Sequence, residues 1–97
     1  MQRVFISYSR VDIERATALQ RALDRHCDVF LDLRDIPVSV PWFDEIQQAM
    51  RGAALMLALD TAAWRSSENC QAELVAADRW LVPVLRCAPG ALADDEI

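Results

Sequence analysis

Four short apolar runs alternate along the chain with longer segments of helical periodicity, and this alternation limits the fold more than any other feature. The runs are Val4-Phe5-Ile6, Val29-Phe30-Leu31, Ala54 to Leu59 and Val82-Pro83-Val84-Leu85. Each is too short for a helix and rich in β-branched, aromatic or aliphatic side chains, the signature of a strand buried on both faces. Strand and helix follow one another three times before a last strand. That order predicts right-handed crossovers and a parallel sheet with helices on both faces.

The first helix is expected to start at a cap on Asp12 and to end near His26. Ile13, Ala16, Leu19 and Leu23 recur at spacings of three and four, while Glu14, Arg15, Arg21 and Asp24 take other faces. Trp42, Phe43, Ile46, Ala49 and Met50 mark one face of a second helix that stops at Gly52. Ser66 or Ser67 is placed to cap a third, with Glu68 in its first turn. Cys70, Leu74, Ala77 and Leu81 would form its buried face. Asp32 to Pro41 contains two prolines and reads as a loop of about ten residues, longer than the usual strand-to-helix connection.

After Leu85 only Arg86 to Ile97 remain, with Pro89 and Gly90 in the middle. The expectation is one α/β domain over residues 1–97, a flavodoxin-like doubly wound parallel sheet lacking its last helices and fifth strand. Such a segment would be the N-terminal portion of a longer protein.

Composition removes several function classes. All ten basic residues are arginine, so no mechanism that needs a lysine is available, and the formal net charge is -5. The acids are spread out apart from Asp94, Asp95 and Glu96, and no basic run exists, which argues against direct nucleic-acid binding. Gly52 and Gly90 are the only glycines, so a glycine-rich phosphate cradle is excluded. A phospho-acceptor receiver would carry clustered acids after its first strand, where this chain has Ser7-Tyr8-Ser9-Arg10. Cys27, Cys70 and Cys87 lack metal-ligand spacing and fit a reducing compartment, with no metal site. The longest apolar run, Ala53 to Leu59, cannot span a bilayer, and the start carries no signal-peptide core. A cytoplasmic protein with no membrane partner is expected.

In an open parallel sheet a ligand binds beyond the carboxyl ends of the strands where the strand order reverses, which in flavodoxin-like order lies between strands one and three. Three segments meet that edge: Ser7 to Arg10, Asp32 to Pro41, and Asp60 to Ser67.

Those segments carry a resemblance. Phe5-Ile6-Ser7-Tyr8-Ser9-Arg10 with Asp12 resembles the first box of TIR domains. Phe30-Leu31-Asp32-x-x-Asp35-Ile36-Pro37 with Trp42 downstream is similar to their BB loop, and Ser67-x-x-Cys70-x-x-Glu73-Leu74 to the third-helix motif that carries the catalytic glutamate. Val82-Pro83-Val84 matches the fourth strand. Two positions depart from the pattern: Ser39 stands where the loop usually has glycine, and Asn69 where many active members have tryptophan, four residues before the glutamate.

The resemblance implies a bacterial-type TIR enzyme that takes NAD as substrate, needs no cofactor, and releases nicotinamide with ADP-ribose or a cyclic isomer. Glu73 would be its catalytic residue, and Ser7, Tyr8, Arg10, Asp35 and Trp42 would contact the substrate. Asp32, Asp35, Ile36, Pro37 and Ser39 would form the assembly loop through which other TIR domains complete the pocket, as in an immune or signalling effector. The alternative implied is a TIR scaffold without catalysis, for which Ser39 and Asn69 mark the loss. Plainer readings stand beside these. Glu73 alone would be an ordinary helix residue, Trp42 and Trp64 stack a ring or pack, and Trp80, seven after Glu73, falls on its face. Arg10 meets a phosphate or pairs with Asp12 or Asp35. His26 and Cys27 lack an orienting partner and read as packing residues, and Cys70 as a small buried hydrophobe.

Overall fold

The computed structural model describes residues 2–31 and 40–87, with the side chains of 40–42 outside that description. Strands β1 (Arg3–Ser7), β2 (Asp28–Leu31), β3 (Ala53–Leu59) and β4 (Val84–Cys87) alternate with helices α1 (Ile13–Leu23), α2 (Val40–Arg51), α3 (Ala62–Ser66) and α4 (Glu68–Arg79). All strand pairs are parallel, in the order β2-β1-β3-β4. The expected parallel α/β sheet of flavodoxin-like order is therefore present, and the order reverses between β1 and β3. The expectation of a missing fifth strand falls on residues 88–97, outside the described residues.

Alternation along the strands sorts two cores onto the two faces of the sheet. Phe5, Met56 and Ala58 join Ile46, Ala49 and Met50 of α2 and Cys70, Ala76 and Ala77 of α4. Val4, Ile6, Leu57 and Leu59 face Ala16, with Leu19 and Leu23 packed around them. Phe5 and Phe30 stack across the β1–β2 pair at 5.0 Å between ring centroids, a contact worth about 1 kcal/mol beyond its buried area.

Several boundaries move for local reasons. Helix α1 stops at Leu23 rather than near His26, because the amides of His26 and Cys27 both turn back to the Leu23 carbonyl, which delivers Cys27 to the α1-side core. The last strand begins at Val84, two residues later than expected: Pro83 has no N–H for the ladder and only its carbonyl joins, accepting from the Met56 amide at 2.9 Å. Val82 is buried ahead of the strand. The segment from Asp60 to Ser67, one of the three expected at the carboxyl edge, contains the short helix α3, capped by the Thr61 hydroxyl on the Trp64 amide. Ser67 caps α4, accepting from the Cys70 amide at 3.2 Å, as its position before the apolar face suggests.

The third-helix face is corrected at one residue. Leu81 is 87% exposed because α4 ends before it, at a turn where the Val82 amide reaches the Ala77 carbonyl and the Leu81 amide the Asp78 carbonyl. This pairing requires a left-handed residue after the helix, and Leu81 supplies it with φ 57. Gly52, expected as that kind of helix stop for α2, has no positive φ; its missing side chain instead leaves room for the Arg3 guanidinium. No described helix is long and apolar enough to cross a membrane.

Candidate functional site

Three elements meet at the carboxyl edge of the sheet beside the β1–β3 reversal, and each places one side chain there. Ser7 is the last residue of β1 and shares a strand face with Phe5, so its hydroxyl points toward the layer of α2 and α4. Trp64 comes from α3, which follows β3. Glu73 comes from the second turn of α4, about 9 Å along the helix from the Ser67 cap at a rise of ~1.5 Å per residue.

The three side chains are joined by hydrogen bonds. The indole Nε1–H of Trp64 donates to Ser7 Oγ at 2.9 Å, and Ser7 Oγ–H donates to Glu73 Oε1 at 2.7 Å. Relative exposures of 1% for Trp64, 0% for Ser7 and 4% for Glu73 put this chain of contacts out of reach of bulk water. A carboxylate removed from water that far is costly unless polar partners hold it, so Glu73 is not the solvated surface residue of the plain helical reading. Trp64 is a packed wall rather than an open stacking platform, and the Arg86 guanidinium lies 5.3 Å from its ring centroid.

Cys70, one turn before Glu73, is buried against the same group. Burial pushes its thiol from 9.0 up to about 11; the neighbouring Ser67 and Ser7 hydroxyls act against that and the charge of Glu73 with it. The thiol is therefore protonated and inert at neutral pH, in keeping with a small core residue.

A second link crosses the same edge. Thr61 Oγ1 donates to Asp12 Oδ2 at 2.8 Å, and Arg15 approaches Asp12 Oδ1 at 3.3 Å. Asp12 was expected to cap α1, yet its side chain makes no capping bond there. It binds the β1–α1 turn to the β3–α3 turn instead.

The remaining candidates are more scattered. Tyr8, next after Ser7, is half-buried against the α1-side core, on the other face of the sheet. Arg10 is exposed in the 3-10 turn Arg10–Asp12 at the carboxyl edge. Asn69 is half-buried in the first turn of α4, on the helical face that Glu73 shares. Trp42 lies in α2 with its side chain outside the description, and Asp32, Asp35, Ile36, Pro37 and Ser39 lie outside the described residues. Trp80 does not join Glu73. It closes α4 at the opposite edge, where its indole N–H donates to Gln47 of α2 and the guanidinium groups of Arg51 and Arg79 lie 5.4 and 5.9 Å from its ring.

Trp64 as a partner of Ser7, and Thr61 as a partner of Asp12, were not foreseen from sequence. The separations are 57 and 49 residues, and no local pattern spans them. The signal available was weaker: a tryptophan in an apolar setting needs an acceptor for its N–H, and a serine closing a buried strand offers one. Among the described residues no group of three or more His, Cys, Asp or Glu is placed to hold a metal ion.

No curated protein matches the chain. The profile of the TIR domain family matches residues 4–94, nearly the whole sequence and every described strand and helix apart from the first residue of β1. With that match, and with the β2-β1-β3-β4 parallel order beneath it, the chain belongs to the TIR domain family.

Proposed function

We propose that this TIR domain is an NAD glycohydrolase of bacterial type in which Glu73 is the catalytic carboxylate and assembly with other TIR domains is the switch. Membership of the family carries a TIR-type signalling function, and TIR domains typically interact with one another. The observation that supports the enzymatic reading is the buried, hydrogen-bonded Glu73 at the strand-order reversal.

The chemistry asks little of the protein. The C1′–N bond of the nicotinamide riboside breaks, its electron pair leaves with the ring, and the positively charged nicotinamide departs neutral without a general acid. The ribose becomes oxocarbenium-like, and a carboxylate beside it stabilises the charge and holds ribose hydroxyls. Water then adds at C1′ and loses a proton to give ADP-ribose, or an adenine nitrogen adds and gives the cyclic isomer. Arg10, exposed at the same edge, supplies a guanidinium for the diphosphate, and Tyr8, Asp35 and Trp42 are the further substrate contacts.

A side chain 4% exposed offers a substrate almost no surface, so in this reading neighbouring segments move before NAD reaches Glu73. That fits a domain that is idle alone and active when a neighbour's Asp32 to Ser39 loop completes the pocket. The same burial favours the second reading, a signalling scaffold whose glutamate is structural, with Ser39 and Asn69 in place of the residues common in active members.

The test is nicotinamide release from NAD by the full protein, concentrated or with its trigger, beside Glu73→Gln. Release by the wild type and a loss of at least about 100-fold in the variant is expected, in the range found for removal of a group that stabilises transition-state charge. Equal release by both ends the role of Glu73, and no release under verified assembly establishes the scaffold.

A further inference from the structure

We infer that Ser7 is a positioning residue for Glu73 and that Trp64 aims it, acting on the reaction only through Ser7; this rests on the reading of Glu73 as the catalytic carboxylate. An indole N–H donates and cannot accept. Its N–H, with N···O 2.9 Å, therefore occupies a lone pair of Ser7 Oγ, and the single Ser7 proton goes to Glu73 Oε1 at an O···O distance of 2.7 Å. With exposures of 1%, 0% and 4%, no solvent is at hand to replace either bond.

The direction of this chain has a mechanical result. Glu73 sits on a helix with a flexible side chain, whereas Ser7 ends β1, one of the two central strands, with Phe5-Ile6-Ser7 in register with Met56-Leu57-Ala58 of β3. Fixing Oε1 to a central strand of the sheet holds the carboxylate to that framework and commits one of its oxygens to the scaffold. A fully buried Ser7 thus serves the substrate through Glu73 rather than by touching it. Misplacing a reacting group by about 1 Å is enough to cost about 100-fold in rate. Cys70 packs beside the group, but burial keeps it a neutral thiol, so no second anion competes for the Ser7 proton.

The experiment uses the full protein under assembling conditions and measures kcat and KM for nicotinamide release in wild type, Glu73→Gln, Ser7→Ala, Trp64→Phe and the Ser7→Ala/Trp64→Phe double variant. Ser7→Ala is expected to lower kcat about 10- to 100-fold with KM within about threefold. Trp64→Phe keeps an aromatic ring and the serine and is expected to lower kcat about three- to tenfold, and the double variant to match Ser7→Ala rather than multiply the two losses. A kcat within twofold of wild type in Ser7→Ala, or multiplicative losses in the double variant, overturns the inference.

A readout without turnover separates this from the wider reading. The Trp64 indole N–H resonance is expected to shift in Ser7→Ala and in Glu73→Gln, and a resonance unmoved in both overturns the hydrogen-bond chain. Turnover by wild type that is lost in Glu73→Gln but kept in Ser7→Ala removes only the positioning role. No turnover by assembled wild type removes the enzymatic reading and this role with it, even with the resonance shifts present.

Discussion

Thr61 donates from Oγ1 to Asp12 Oδ2 at 2.8 Å and with the same oxygen accepts the Trp64 amide at 3.1 Å, so one side chain both caps α3 and ties it to the β1–α1 turn. The two turns flank the strand-order reversal, and Asp12 is 9% exposed. Thr61→Val removes both bonds while keeping the shape. A loss of about 1–3 kcal/mol in denaturant unfolding is expected, with Thr61→Ser close to wild type. A Thr61→Val protein as stable as wild type would show that the bridge adds nothing.

The pH dependence at Cys70 follows from burial. Its folded thiol titrates at about 11 against 9.0 when unfolded, so below pH 9 both states keep the proton and the residue has no effect. Above pH 9 the unfolded chain sheds the proton first, and stability falls as pH rises toward 11, by roughly 2–3 kcal/mol at most. Cys87, also raised by burial, acts in the same direction. Unfolding free energies measured at pH 8 and pH 10.5 are expected to differ less in Cys70→Ala than in wild type.

Leu81 holds a left-handed backbone at φ 57 with its side chain 87% exposed, so it contributes strain and little packing. Leu81→Gly is expected to stabilise the protein by about 0.5–1 kcal/mol, since a left-handed L-residue costs about 1–2 kcal/mol and glycine returns part of that as unfolded-state entropy. The check is a thermal melt, in which a rise of a few degrees is the expected result and a fall contradicts the strain argument.

Ile46 anchors α2 to the sheet at 0% exposure among Phe5, Met50 and Met56. Ile46→Ala leaves a cavity beneath three packed elements and is expected to cost about 2–5 kcal/mol, whereas Ile46→Val costs about 1 kcal/mol. Equilibrium unfolding of both variants against wild type measures the difference.

What the sequence determined by itself was local or periodic. The runs around Phe5, Phe30 and Met56 announce strands because a buried strand of a parallel sheet is apolar on both faces, and Ser67 announces a helix start because its oxygen reaches an amide three residues on. The parallel order followed, since strands joined through helices cross over in one hand. Glu73 was singled out by its motif, but its burial was not legible there. Only the tertiary structure decided that Asp12 bridges to Thr61 rather than capping α1, that Trp80 packs on Gln47 at the far edge, and that Leu81 turns outward after Trp80. Ser7 and Glu73 are 66 residues apart in the chain and 2.7 Å apart at their oxygens. A hydrogen bond of that kind is set by where β1, α3 and α4 converge, and no spacing along the chain encodes the convergence.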